Sequence, residues 1–366
     1  MANANLGNAR KAKNDEFYTQ FHDIEKEMNA YLEYNPEVFK NKTVLLPCDD
    51  PEWSNFTRYF AQNFEKLQLK KLISTSYAPN SKPREIPYQP TLFEIDSPEF
   101  DETKTVSNGK IFTLSHDRTG DKVINVEDLE WGYLEGDGDF RSDEIKALRD
   151  EADVIITNPP FSLFREFLVW IVEAGKVFSL IGNKNCVTYK EVFPLIKGNR
   201  MWPGATPMGM DMLFRVPANA AKSLMEEGRK GSTWRMVDGE VMGRASSVWF
   251  TNLDHGRRHQ PLPLMTEADN IKFSKHKQVK DVGYQKYDNY DAIEVPFTDA
   301  IPSDYGGVMG VPISFLNKYN PEQFEIVGLA AGNIRGLAGI PTKTGKDGPY
   351  INGKLKYGRI LVRHRS

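Results

Sequence analysis

The chain has 366 residues, 40% of them hydrophobic and 27% charged, with a formal net charge of −3 and two cysteines. That balance excludes a low-complexity or fibrous chain and a generally basic nucleic-acid glue. Cys48 and Cys186 are too few for a disulfide framework or a structural zinc site. No apolar run reaches the roughly 18 residues of a membrane span, and MANANLGNARKAKNDEF lacks the apolar stretch of a secretory leader. A cytoplasmic protein with no membrane partner is expected.

In chain order, apolar residues Phe17, Phe21, Ile24, Met28, Tyr31 and Leu32 fit a short amphipathic helix within 16–34. Thr43–Leu46 reads as a buried strand ending at Pro47-Cys48-Asp49-Asp50-Pro51. A helix is expected over Asn55–Leu67 and a second strand over Lys71–Ser76. Residues 79–108, rich in Pro, Ser and Asp, read as an inserted loop, followed by a strand at Ile111–Leu114. Asp143–Asp150 reads as a helix, Asp153–Thr157 as a strand, Phe164–Ala174 as a buried helix and Val177–Gly182 as a strand. This alternation predicts an α/β fold with a doubly wound, mostly parallel sheet whose ligands bind at the carboxyl ends of the strands. Beyond about 200 the pattern changes. Ser246–Asn252 is strand-like, and from 261 onward short strands alternate with long loops.

The strand ending at Thr157 delivers Asn158-Pro159-Pro160-Phe161. Two prolines cannot extend a helix or a central strand, so the tetrapeptide must stand at the strand tip. Methyl transfer to an exocyclic base amine needs such a tip. The amine lone pair is delocalised into the ring, and hydrogen-bond acceptors help as the nitrogen becomes tetrahedral. The Asn158 amide oxygen and the Pro159 carbonyl supply two acceptors, and Pro160 confines the residue before it to extended backbone. Phe161 offers a face for a base that has left its helix. The plainer alternative is a strand-to-helix turn with Phe161 in the core.

The methyl donor would be S-adenosylmethionine, and no metal is expected. Cys48-Asp49-Asp50-Pro51 after the first strand suits its amino-acid end. Asp139 beside Phe140, in Gly136-Asp137-Gly138-Asp139-Phe140, suits its adenine. Asp-Pro and Asp-Gly are also ordinary turn dipeptides.

These residues together resemble the EcoRI-type adenine-specific DNA methyltransferases of restriction–modification systems and phages. The resemblance rests on Asp15-Glu16-Phe17-Tyr18-Thr19-Gln20, Cys48-Asp49-Asp50-Pro51 with Ser54-Asn55-Phe56, Asn158-Pro159-Pro160-Phe161 and Trp249-Phe250-Thr251-Asn252-Leu253. It extends to Gly307–Pro312 and Tyr319–Phe324, and covers about residues 14–330. It implies a Rossmann-like S-adenosylmethionine-dependent sheet in a catalytic domain over 1–200, completed by strands around 205–255, and an irregular DNA-recognition region over 256–366. Tyr18, Thr19 and Gln20 would line the methionine end of the donor, and Trp249 or Phe250 would stack on the flipped adenine. The implied partner is double-stranded DNA, read by a monomer, with a cognate restriction endonuclease in the same system but no stable complex. Two departures stand out. The first turn has no Gly-x-Gly, and Ser74-Thr75-Ser76-Tyr77 has no acid where a ribose-binding carboxylate is usual.

Basic residues gather late in the chain, at Arg257-Arg258, at Lys272, Lys275, Lys277 and Lys280, and from Lys343 to Arg365. With Tyr284, Tyr287, Tyr290, Tyr357 and His259 interleaved they suit phosphate contact and stacking. Arg257, Arg258 and Arg335 are the candidate DNA contacts. The rival functions are an RNA or protein-glutamine methyltransferase and a catalytically inactive DNA-binding protein on the same scaffold. A zinc deaminase is excluded by the lack of paired HxE and CxxC motifs.

Overall fold

A computed structural model describes residues 18–49, 54–79, 95, 97–208, 212–216, 218–228, 230–331 and 348–365. The chain forms two compact units, one from Met1–Asn183 with Met210–Leu253, the other from Lys184–Gly209 with Asp254–Ser366.

In the first unit, β1 (Tyr18–Thr19) leads into α1 (Phe21–Tyr34), whose buried Ile24, Glu27, Met28 and Tyr31 recur at helical spacing. Then come β2 (Thr43–Pro47), α2 (Asn55–Gln62), β3 (Lys71–Ser76), β4 (Lys110–Leu114) and β5 (Glu130–Tyr133). The expected helix over 55–67 thus stops at Gln62. After α3 (Asp143–Glu151) follow β6 (Val154–Thr157), α4 (Phe164–Glu173) and β7 (Val177–Asn183). The unit closes with β8 (Met212–Arg215), α5 (Ala218–Glu227), β9 (Trp234–Val237), β10 (Glu240–Ala245) and β11 (Ser247–Thr251).

The large sheet runs β5-β4-β3-β2-β6-β7-β11. Its centre, β3-β2-β6-β7, is parallel, as the strand–helix alternation requires. The flanks correct the expectation of a mostly parallel sheet: β4, β5 and β11 all pair antiparallel to their neighbours. Every residue of β2 and β6 is buried, which explains their unbroken apolar runs. β4 buries only alternate residues, the pattern of a sheet with one covered face. A smaller antiparallel sheet, β1-β8-β10-β9, draws the start of the chain onto residues almost two hundred positions away.

α2 and α3 begin at Ser54 and Ser142, whose hydroxyls accept from Phe56 N and Ile145 N. The core joins α1, α2 and the sheet through Tyr31, Phe39, Tyr59, Phe60, Phe214 and Trp249. Within it the Tyr31 hydroxyl donates to Glu27 at 2.8 Å and lies 3.0 Å from Ser179 Oγ.

The second unit is built on a sheet of Ile293–Glu294, Met309–Pro312, Arg359–His364 and Phe324–Ala330, in that spatial order. A separate hairpin pairs Tyr350–Ile351 with Lys354–Leu355 around Asn352-Gly353, both at positive φ, as an Asn-Gly hairpin turn demands. Asp288 accepts from both turn amides, at 3.1 and 2.8 Å. Tyr287 and Tyr290, which the sequence offered for stacking, are buried in this unit's core beside Leu361. No helix among the described residues is long and apolar enough to cross a membrane.

Candidate active site

Three strand ends of the parallel centre meet. β2 closes with Pro47 and then Cys48 at φ 78°, a left-handed conformation unusual for a side chain. Cys48 therefore adopts the backbone that a glycine would usually supply, at the turn where Gly-x-Gly is missing. Asp49 follows, 6% exposed, its N–H donating to Thr75 O of the β3 end at 2.9 Å. Its carboxylate accepts from Ser54 Oγ at 2.9 Å and lies 2.6 Å from Thr157 Oγ1, whose one proton it shares with Pro47 O.

β6 ends at Thr157. Asn158, Pro160 and Phe161 are half-buried and Pro159 is buried. Pro160 has φ −51° and ψ 125°, and Phe161–Leu163 makes one 3-10 turn leading into α4. Phe161 meets Phe214 of β8 edge-on, at a centroid distance of 6.3 Å. Phe214 in turn pairs with Thr19 of β1, and Gln20 Nε2 donates to Leu213 O at 2.9 Å. Asn55 Nδ2 binds Thr19 O at 2.8 Å. Thr19 and Gln20 are thereby brought to the Pro-Pro tip through β8, and Tyr18 enters by its backbone pairing with Arg215.

The stretch after β5 folds over the end of β3. Ala78 N donates to Asp137 O at 2.8 Å. Gly138, at φ 83°, lies so close that a Cβ there would stand 2.3 Å from Ser76 O; only glycine fits. Asp139 is gripped by the Arg141 fork, Nε to Oδ1 at 2.9 Å and Nη2 to Oδ2 at 2.6 Å. These hydrogen bonds hold its carboxyl below the ordinary value of 3.8. Phe140 points inward, packed on Phe167 and Trp170 at 5.1 and 5.6 Å.

Tyr77, directly after β3, is a residue that sequence reasoning passed over as a binding group. Burial raises its phenol far above the ordinary range, and the neighbouring Cys48 and Asp139 raise it further. The phenol of Tyr77 thus feels the charges of both Cys48 in the β2 turn and Asp139, two features the sequence treats separately. An aromatic at the tip of a buried strand was the only signal for it.

Other expected residues are placed elsewhere. Trp249 and Phe250 are both 0% exposed. Trp249 packs edge-on to Phe56 at 5.9 Å and Phe250 against Phe164 at 5.5 Å. All five residues of β11 are buried, so these rings fill the core and present no face to a base. Arg258 is also internal: it lies 3.5 Å above the Trp202 ring and 3.1 Å from Asp254. Its guanidinium is thus stacked and ion-paired inside the unit rather than presented to solvent. Arg257 is exposed and donates to Ala205 O. Asp50, Pro51 and Arg335 lie outside the described residues. Among the described residues no group of His, Cys, Asp or Glu could hold a metal ion.

A mixed sheet with a parallel centre, polar strand ends and an Asn-Pro-Pro-Phe tip is consistent with a methyltransferase fold. A family model described as adenine-specific methyltransferase EcoRI matches residues 5–365. The chain is 39% identical over 360 residues to the Type II methyltransferase M.EcoRI of Escherichia coli, covering 98% of this chain and 96% of that protein. It is similar to the Type II methyltransferases M.MpnI of Mycoplasma pneumoniae, at 33% identity, and M.MgeORF184P of Mycoplasma genitalium, at 34%. Each covers at least 97% of both chains. No solved structure matches the chain. The chain belongs to the EcoRI family of adenine-specific methyltransferases and is an enzyme of that class.

Proposed function

We infer that the chain is a site-specific DNA methyltransferase of the Type II class, methylating the N6 amine of an adenine flipped out of duplex DNA. The observation that carries this reading is the Asn158-Pro159-Pro160-Phe161 tip at the end of a central parallel strand that lies between β2 and β7. In it the Asn158 amide oxygen and the Pro159 carbonyl accept from the adenine amine and stabilise the charge that develops there. Pro160 keeps that carbonyl fixed, and Phe161, braced by Phe214, supplies the stacking face.

The methyl donor in this reading is S-adenosylmethionine, held in a Rossmann-like arrangement at the strand ends. The residues present fit it. The Asp139 carboxylate is a quarter exposed, Tyr77 follows the β3 end over which the Gly138-Asp139 stretch folds, and Cys48 takes a left-handed backbone without being a glycine. When bound, the donor supplies an electrophilic methyl on a sulfonium. Asp139 and Tyr77 would hold its nucleoside, and Thr19, Gln20 and the β2 turn its methionine end. Phe140 supports Asp139 from within the core.

In this assignment residues 1–200 carry catalysis, strands within 205–255 complete the sheet, and residues 256–366 read DNA. The enzyme acts as a cytoplasmic monomer in a restriction–modification system, without a stable nuclease complex. Incubation with radiolabelled donor and unmodified DNA, RNA or protein, followed by hydrolysis, tests the reading. Label in N6-methyladenine from DNA is expected; label in RNA or in glutamine would replace it.

A further inference from the structure

Thr157 immediately precedes the amide clamp and is fully buried. On one side of β6 the backbone ladder runs to the end, with Thr157 opposite Leu180 of β7. On the other side the registered pairs with β2 are Val44↔Val154 and Leu45↔Ile155, two residues short of the tip. Where that ladder stops, the Thr157 hydroxyl takes over: Oγ1 lies 2.6 Å from Pro47 O and 2.6 Å from Asp49 Oδ2, and these two acceptors share its single proton. Pro47 has no N–H to continue the ladder, and its carbonyl needs a donor.

Asp49 extends this link in three directions. Its second carboxylate oxygen accepts from Ser54, the residue that caps α2. Its carbonyl accepts from Ser74 Oγ, which lies 2.8 Å from Thr57 Oγ1. Its N–H binds the β3 end. Both carboxylate oxygens are thus engaged inside the unit, a poor arrangement for a group meant to grip a donor.

We propose that Thr157 and Asp49 are positioning residues, a buried strut that locks the end of the β6 strand against the β2 turn and so fixes the aim of the Asn158–Pro159 acceptors. The role of Asp49 changes accordingly from donor ligand to support. This rests on the clamp reading above, deepening it by naming what holds the clamp.

Thr157→Val keeps the shape and the β-branched rotamer while removing the hydroxyl. Turnover would be measured on unmethylated genomic DNA at saturating S-adenosylmethionine, and donor Kd by calorimetry with S-adenosylmethionine itself. The expected result is a kcat lower by about 10- to 100-fold, the scale at which small misplacement of a reacting group acts, with donor Kd within about threefold. Thr157→Ser restores the hydroxyl and should bring kcat back to within about threefold of the parent. The proposal is overturned by a folded Thr157→Val with parental kcat, by a loss confined to donor Kd, or by a Thr157→Ser as impaired as the valine. If the valine variant does not fold, Ser54→Ala releases the other Asp49 oxygen; a kcat decrease of about 3- to 10-fold at unchanged donor Kd supports the strut, and parental kcat refutes it. Asn158→Ala, run alongside, separates the two readings. An active Asn158→Ala defeats the clamp itself, whereas an inactive one beside a fully active Thr157→Val defeats only the strut.

Discussion

In the unit built on Met1–Asn183 and Met210–Leu253, hydroxyls and a carboxylate gather at the ends of parallel strands, next to a tetrapeptide that cannot continue any ladder. In the unit built on Lys184–Gly209 and Asp254–Ser366, prominent charged groups bind one another instead. Arg258 pairs with Asp254 over Trp202, and Arg359 grips Glu294 at 2.6 Å beside the Tyr287 hydroxyl. His276 stacks on Phe297 and meets Asp299 at 2.8 Å. A count of basic residues therefore overstates the surface this second unit leaves for phosphates. Polar groups gather at strand ends in the first unit, whereas the charged groups of the second are held largely by one another.

Five variants would break or sharpen that contrast. The largest effect is expected from Trp249→Ala, which empties the core between β11 and α2 and should cost about 3–5 kcal/mol in denaturant unfolding; a cost under about 1 kcal/mol would return Trp249 to the list of base-stacking candidates. Asn158→Ala should lower kcat by about 10²–10³-fold, equivalent to about 2.7–4 kcal/mol, while the unfolding midpoint barely moves. In the second unit, Arg258→Ala should destabilise the fold by about 2–3 kcal/mol, through lost stacking and charge-assisted hydrogen bonds. Its neighbour Arg257→Ala should stay within about 0.5 kcal/mol and show its effect, if it touches DNA, only in the salt slope of binding. Equal stabilities for the two variants would contradict the buried placement of Arg258.

The smallest effect concerns Asp139. Its folded carboxyl lies below the ordinary 3.8 because Arg141 binds the ionised form. A group with a depressed folded value stabilises the fold fully above its unfolded pKa and loses that contribution as pH falls through the folded one. Asp139→Asn should therefore flatten part of the acid limb of the stability–pH curve below the ordinary carboxylate value and leave the curve near neutrality unchanged in shape. An acid limb identical to the parent's would show that Arg141 does not hold Asp139 in solution.

Much of the proposed catalytic tip is legible in the linear chain, because its determinants are local. Val154–Thr157 is β-branched and apolar, Pro159-Pro160 cannot join a ladder, and the stripe of Ile24, Met28 and Tyr31 announces α1. Other features depend on partners far away in sequence. β1 is two residues long and exists only because β8 accepts it. The antiparallel flanks leave no periodic mark that distinguishes them from parallel strands. Trp249 and Phe250 have the same composition whether a strand faces solvent or core.

The sequence by itself determined the class of enzyme, through a likeness that spans nearly the whole chain, and it determined the strand that ends in an amide and two prolines, which follows from backbone restrictions within a few residues. Tertiary structure alone decided that Thr157 braces Asp49 across 108 positions, that Arg141 grips Asp139, and that Arg258 turns inward. Burial and hydrogen-bond partnership are properties of pairs brought together by folding, and no single stretch of chain carries them.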